Sequence, residues 1–242
     1  MKISKEKGVI KKKQKTISVI IPAFNEAGSI DFVLKEIPKV VSEVIVVDNN
    51  STDETALNAS KAGATVLSEN RKGYGYACLK GLDYIARSKN TPDIVVFLDG
   101  DYSDYPEELT KIVQPIVEGD VDFVIGSRVK RLREDGSMTP QQIFGNWLAT
   151  SLMAIIFKAK FTDLGPFRAI KYDKLVALNM EDKTYGWTVE MQLKALKANV
   201  SYTEIPVRYK KRIGVSKVSG TVVGSIMAGV KILTWIFKYS FK

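Results

Sequence analysis

The sequence predicts an α/β fold with a mostly parallel central sheet flanked by helices, and three observations predict it. Short β-branched runs recur through the first half of the 242-residue chain. Amphipathic stretches of helical period separate them, and polar residues gather directly behind the runs. Near-continuous apolar strands joined by helices mark a parallel sheet covered on both faces. Such sheets bind ligands where strands run out into loops at their carboxyl ends.

The first run is 17–21, followed by a helical pattern over about 27–41. Run 43–47 (EVIVV) precedes a short helix at 53–62, and run 64–67 precedes a helix at about 74–87. A fourth run, 93–98 (DIVVFL), leads to a helix at 106–117, and a fifth lies at 122–125. Polar clusters follow at 22–26, 48–53 and 99–104. The second half is less regular. A polar, glycine-containing loop is expected at 129–139, helices at 141–157 and 185–198, an extended segment at 200–209, and a mostly apolar stretch at 221–237.

Composition narrows the chemistry. Histidine is absent, which excludes histidine-based triads and the common zinc sites. Acids, bases and metal ligands must then be mainly carboxylates, which suit hard cations such as Mg2+ or Mn2+. The single cysteine, Cys78, cannot form an internal disulfide and fits a reducing compartment such as the cytoplasm. A net charge of +9 attracts polyanions: nucleotide phosphates, an anionic membrane face or nucleic acid. No nucleic-acid motif accompanies the charge, so nucleic acid is not expected as a partner. Part of the excess crowds into residues 1–15, readable as a solvated tail or as a weak tether to anionic lipid. That tail lacks the apolar stretch of a signal peptide, so secretion is not expected.

Two strand ends carry candidate chemistry. Asp99-Gly100-Asp101 closes the fourth run on two carboxylates, which repel each other unless a cation joins them. Gly100 between them allows close backbone approach. The alternative is an acidic turn in which Asp104 caps the helix beginning near Pro106. Asp48, directly after EVIVV, could accept hydrogen bonds from a base or ribose. Alternatively it caps the next helix, although Ser51, Thr52 and Asp53 can do that without it.

These residues resemble a known family. Ile20-Ile21-Pro22-Ala23-Phe24-Asn25-Glu26, Val47-Asp48-Asn49-Asn50-Ser51-Thr52-Asp53 and Leu98-Asp99-Gly100-Asp101 look like the nucleotide-sugar core of family-two glycosyltransferases. Gly126-Ser127-Arg128, Thr162-Asp163, Phe167-Arg168-Ala169 and the Arg212-to-Lys217 turn extend the likeness over nearly everything after Lys15. The branch most resembled is that of dolichyl- or polyprenyl-phosphate hexosyltransferases of the dolichyl-phosphate mannose synthase type. The chain departs from that branch at Gln141-Gln142, Gly145-Asn146 and Gly165-Pro166, and in a shorter Arg212-to-Lys217 turn.

The resemblance implies a single GT-A-type, Rossmann-like domain. Its nucleotide-sugar half would be 16–128, its acceptor half 129–219, and 220–242 a C-terminal apolar helix able to lie in a membrane interface. Pro22, Ala23, Asn25, Glu26 and Asp48 would hold the nucleoside, with Lys72 and Gly73 nearby. Asp99 and Asp101 would bind Mg2+ or Mn2+. Arg128, Arg212 and Lys217 would face phosphates; the plainer reading of each is an exposed salt bridge or a solvated basic loop. Asp163 and Glu190 are either general bases or residues that shape the site. The implied reaction moves glucose or mannose from a UDP- or GDP-sugar, with inversion, to a polyprenyl or dolichyl phosphate at the cytoplasmic face of a membrane. The alternatives are a soluble family member with a hydroxyl acceptor, and a non-catalytic nucleotide-sugar binder. The apolar helices could equally serve the core or a dimer interface, and an oligomer is open.

Overall fold

The computed structural model describes residues 15–214 and 222–240. The strands are β1 (Ile17–Ala23), β2 (Glu43–Asp48), β3 (Thr65–Ser68), β4 (Ile94–Phe97), β5 (Phe123–Ser127), β6 (Arg168–Lys171) and β7 (Tyr202–Pro206). The helices are α1 (Ile30–Glu36), α2 (Thr55–Lys61), α3 (Tyr74–Arg87), α4 (Leu109–Glu118), α5 (Pro140–Phe157), α6 (Tyr172–Leu178), α7 (Trp187–Lys197) and α8 (Val222–Ser240). One sheet, ordered β3-β2-β1-β4-β6-β5-β7, contains them all. Its pairs are parallel except those of β6, which runs antiparallel to both β4 and β5.

Strand alternation divides the core. Ile20, Ile45, Val47 and Phe97 pack beneath α3, α5, α7 and α8, while Val19, Ile21, Val46 and Val96 pack beneath α1, α2 and α4. Both faces are therefore covered, as the unbroken apolar runs require. Because β6 reverses between β4 and β5, those two strands point the same way as β1 and β2. The carboxyl ends of all four meet at one edge of the sheet.

The differences from the expected elements have local causes. The first helix stops at Glu36 because Ile37, extended at ψ 127°, precedes Pro38. The expected helix from Pro106 begins instead as a 3-10 turn before α4, and Asp104 does not cap it; Tyr105 holds the cap position. The loop at 129–139 ends in a capping box, in which Thr139 and Gln142 exchange hydrogen bonds at the start of α5. Strand β6 and helix α6 were not expected. Only Ala169 and Ile170 are apolar in the four-residue β6, too few to show a period.

Candidate active site

The loops at that edge enclose a cavity of about 810 Å3. Pro22 and Ala23 line it at the end of β1 and Glu26 after it, Asn49 after β2, Lys72 and Gly73 after β3, Asp99, Gly100 and Asp101 after β4, and Arg128 after β5. From there it continues without a wall along α5 and α8, past Phe144, Leu148, Ile226, Ile232 and Leu233. A charged end and an apolar end thus belong to one space.

The charged end is acidic at its floor. Asp99 has a buried carboxylate oxygen without a hydrogen-bond partner, and both carboxylate oxygens of Asp104 are in the same state. Burial, reinforced by the charge of Asp101, pushes the Asp99 carboxyl up to about 7. Burial and then the charges of Asp99 and Asp101 push Asp104 well above the carboxylate range. Asp101 accepts hydrogen bonds from the backbone and hydroxyl of Ser103, and its other oxygen pairs with Arg212 at 2.9 Å. Arg212 is held there by its own loop: Ile213 N–H donates to the Asp101 carbonyl, and Lys210 N–H donates to that of Ser103.

Arg128 forms the basic wall. Its backbone N–H (2.7 Å), Nε (2.9 Å) and terminal nitrogen (2.6 Å) all donate to the buried Asp163, and the Arg128 side chain is only 10% exposed. Burial would lift the Asp163 carboxyl, but the Arg128 charge and hydrogen bonds outweigh it and hold the group low. The same pairing raises Arg128 against its own burial. Asp163 does not line the main cavity; it borders a second one of about 510 Å3 on the other side of α5.

Both candidate bases are held by partners within the fold, as the site-shaping alternative has them. Asp163 is fully engaged in orienting Arg128. Glu190, completely buried, accepts from the backbone N–H groups of Glu181 and Asp182, each at 2.8 Å, and pairs with Lys194. Glu190 holds a turn; it does not face the cavity and does not pair with Arg168. Arg168 instead donates to the carbonyls of Leu164, Gly165 and Thr188, and burial lowers its guanidinium to about 10.

The nucleoside candidates divide likewise. Asn25 is not among the cavity-lining residues; its side chain accepts from Thr52 N–H and its own N–H donates to Ser51, tying the β1 and β2 loops together. Asp48 is not among the cavity-lining residues either; one oxygen accepts from Ser51 N–H (3.4 Å) and the other is buried without a partner. Lys217 lies outside the described residues. Sequence reasoning gave Asn49 no role, yet it organises the β3–α3 loop. Its amide donates to the carbonyls of Glu69 and Arg71 and accepts from Gly73 N–H. Its place beside Asp48 at a strand end was the available signal.

With this geometry in place, the profile of glycosyl transferase family 2 matches residues 18–177. The chain belongs to that family. An uncharacterized glycosyltransferase of Mycobacterium bovis is 34% identical over 220 residues, covering 88% of this chain and 94% of the relative. The undecaprenyl-phosphate mannosyltransferase of Micrococcus luteus is 29% identical over 227 residues, covering 88% and 92%. The family 2 enzyme also has the fold of glucosyl-3-phosphoglycerate synthase from Mycobacterium tuberculosis, solved with Mn2+, UDP and phosphoglyceric acid. The TM-score is 0.75 at 22% identity, over 93% of this chain and 78% of that one. This likeness shows the fold, and the expected GT-A-type architecture is the one found.

Among the described residues no group of three or more Asp, Glu or Cys side chains could hold a metal ion by itself. A cation at Asp99 and Asp101 would take its remaining ligands from a bound diphosphate and water. Among the described residues, too, no helix is long and apolar enough to cross a membrane.

Proposed function

We propose that this glycosyltransferase moves a hexose, glucose or mannose, from a UDP- or GDP-sugar to a polyprenyl or dolichyl phosphate, with inversion at the anomeric carbon. One observation carries the reading: the cavity that begins at Asp99, Asp101 and Arg128 continues between the apolar faces of α5 and α8. A nucleoside diphosphate suits the first region and an isoprenoid chain the second. The Micrococcus luteus relative, named for an undecaprenyl-phosphate acceptor, supports the same acceptor class.

The unpartnered, buried oxygen of Asp99 beside Asp101 fits a divalent cation, Mg2+ or Mn2+. When bound there, such a cation supplies charge to the leaving diphosphate. Arg128, oriented by Asp163, and Arg212, carried by the 208–213 loop, offer guanidinium forks to phosphate oxygens. Pro22, Ala23, Glu26, Lys72 and Gly73 bound the donor, with Asp48 at the end of β2. An acceptor phosphate is already anionic: its oxygen attacks the anomeric carbon, the bond to the nucleoside diphosphate breaks, and no base is required. The engagement of both Asp163 and Glu190 suits that chemistry better than a hydroxyl acceptor, which needs a free base within hydrogen-bond reach.

Beyond the cavity the same two helices expose Trp147 and Ile155 on α5, and Met227, Val230 and Phe237 on α8. Lys231 and Lys238 accompany them on α8. Apolar and aromatic faces flanked by lysine favour a peripheral position in the membrane interface, here at the cytoplasmic face.

The test is turnover with labelled UDP-glucose and GDP-mannose, each with Mg2+ or Mn2+, against a polyprenyl phosphate in detergent. Label should enter the organic-extractable lipid with one donor, and chelation or Asp99→Ala should abolish it. Metal-independent turnover, or turnover that survives Asp99→Ala, would contradict the assigned site.

A further inference from the structure

We infer that Asp182 is a positioning residue that couples the seat of the C-terminal helix to the donor loop. The inference rests on the donor-pocket reading above and adds a linkage between the two ends of the cavity.

Asp182 is buried, and every polar contact of its carboxylate is to a donor. One oxygen accepts from the N–H groups of Thr184 (2.8 Å) and Gly186 (2.9 Å). The other accepts from the indole N–H of Trp235 on α8 (2.6 Å) and pairs with Lys231 of the same helix (3.2 Å). Helix α8 is thereby fixed to the turn at 181–186, whose first two N–H groups are held by Glu190.

The opposite side of that turn grips the start of α3. Gly75 N–H donates to the Thr184 carbonyl (3.2 Å) and Tyr76 N–H to the Lys183 carbonyl (3.1 Å). A Cβ at Gly73 or Gly75 would overlap the carbonyl oxygens of Lys183 and Asp182, so the two backbones touch with nothing between them. Gly73 is also the residue whose N–H reaches Asn49, the organiser of the loop that carries Lys72. Hydrogen bonds thus run from Trp235 through Asp182 and the turn to Gly75 and Tyr76, and Gly73 packs on the Lys183 carbonyl beside them. Residues at both ends line the cavity: Ile232 and Leu233 on α8, Lys72 and Gly73 on the donor loop.

Helix α8 sits at the proposed acceptor end and has no residue among those bounding the charged end. Loosening its anchor should nonetheless weaken donor binding. The carboxylate is needed because an amide at 182 would turn an NH2 group toward donors in either orientation. By the reciprocity of linked equilibria, occupancy of the apolar end that steadies α8 should tighten the donor end.

The experiment compares the wild type with Asp182→Asn and Trp235→Phe, the second removing the indole N–H together with part of the ring. Backbone hydrogen exchange at Gly75 and Tyr76, and UDP or GDP affinity by calorimetry, are read for each, with turnover at saturating donor. Exchange at the two amides should accelerate about tenfold and nucleotide Kd should rise roughly five- to tenfold, within the usual range of coupling between sites. The maximal rate should stay within about twofold. A merely structural role would lower the maximal rate through loss of folded protein and leave Kd unchanged. Exchange at Gly75 and Tyr76 that is unchanged in Trp235→Phe overturns the coupling, even if Asp182→Asn fails to fold. A wild type that binds neither nucleotide overturns the donor-pocket reading instead, while the exchange measurement still decides the linkage.

Discussion

Replacing Asp163 by asparagine separates two accounts of the basic wall. The carboxylate, itself buried, receives three hydrogen bonds from the largely buried Arg128 at 2.6–2.9 Å. Removing one partner of a buried ion pair costs about 3–5 kcal/mol, because the other charge stays behind unpaired. Asparagine keeps the volume and one acceptor, which favours the low end, about 3 kcal/mol. For a chain of this size that corresponds to a fall in Tm of roughly 6–12 °C. Urea unfolding should show the lowered midpoint with an unchanged slope. The acid side should change as well. Asp163 titrates below its ordinary value of 3.8 in the fold, so its contribution is complete above that pH and is lost as pH falls through the lower, folded value. The variant should lack this part of the acid dependence. A general base would behave otherwise, with kcat falling about 10²–10⁴-fold and stability nearly intact. A stability loss under about 1 kcal/mol combined with such a collapse in kcat would refute the assignment of Asp163 to Arg128.

Glu190→Gln should keep kcat within about threefold while lowering stability by roughly 1–3 kcal/mol, since it removes a buried charge-assisted partner of the 181–182 turn; steady-state rates beside thermal melts check both. Gly73→Ala meets a φ of +150° and the Lys183 carbonyl at once. It should cost about 2 kcal/mol or more, well beyond the ordinary glycine-to-alanine effect, and raise the donor KM, as denaturant titration and donor-dependence curves would reveal. Arg128→Lys keeps the charge but loses the fork, so donor affinity should fall about tenfold by calorimetry, a change of the size expected when one charge-assisted hydrogen bond is lost.

The first half of the chain was legible because most of its strands are buried on both faces. Unbroken runs such as IVVF at 94–97 cannot hide their nature, and the polar clusters behind them marked the edge where the cavity lies. The second half was less legible. Strand β6 crosses the middle of the sheet with Arg168 at its start, and that arginine is buried on backbone carbonyls that no sequence pattern foretells. Glu190 and Asp163 have the residue type of a base, but their partners, Lys194 with the 181–182 turn and Arg128, are fixed by tertiary packing. Spacing could not reveal that both were already committed. Asp182 and Trp235 lie 53 residues apart, and nothing local joins them. A helix cap was the local alternative for Asp104, yet both its carboxylate oxygens are buried without a hydrogen-bond partner.

The acceptor is the centre of the account, and one competition addresses it. Labelled donor and metal are supplied with a polyprenyl phosphate and with phosphoglycerate at equal concentration, in detergent, and the products are divided between organic and aqueous phases. The apolar run of the cavity along α5 and α8 leads us to expect the label in the organic phase, as a sugar-phosphate-lipid that mild acid releases. Label confined to an aqueous phosphoglycerate glycoside would contradict that claim and assign the apolar faces to the core or to another copy of the chain.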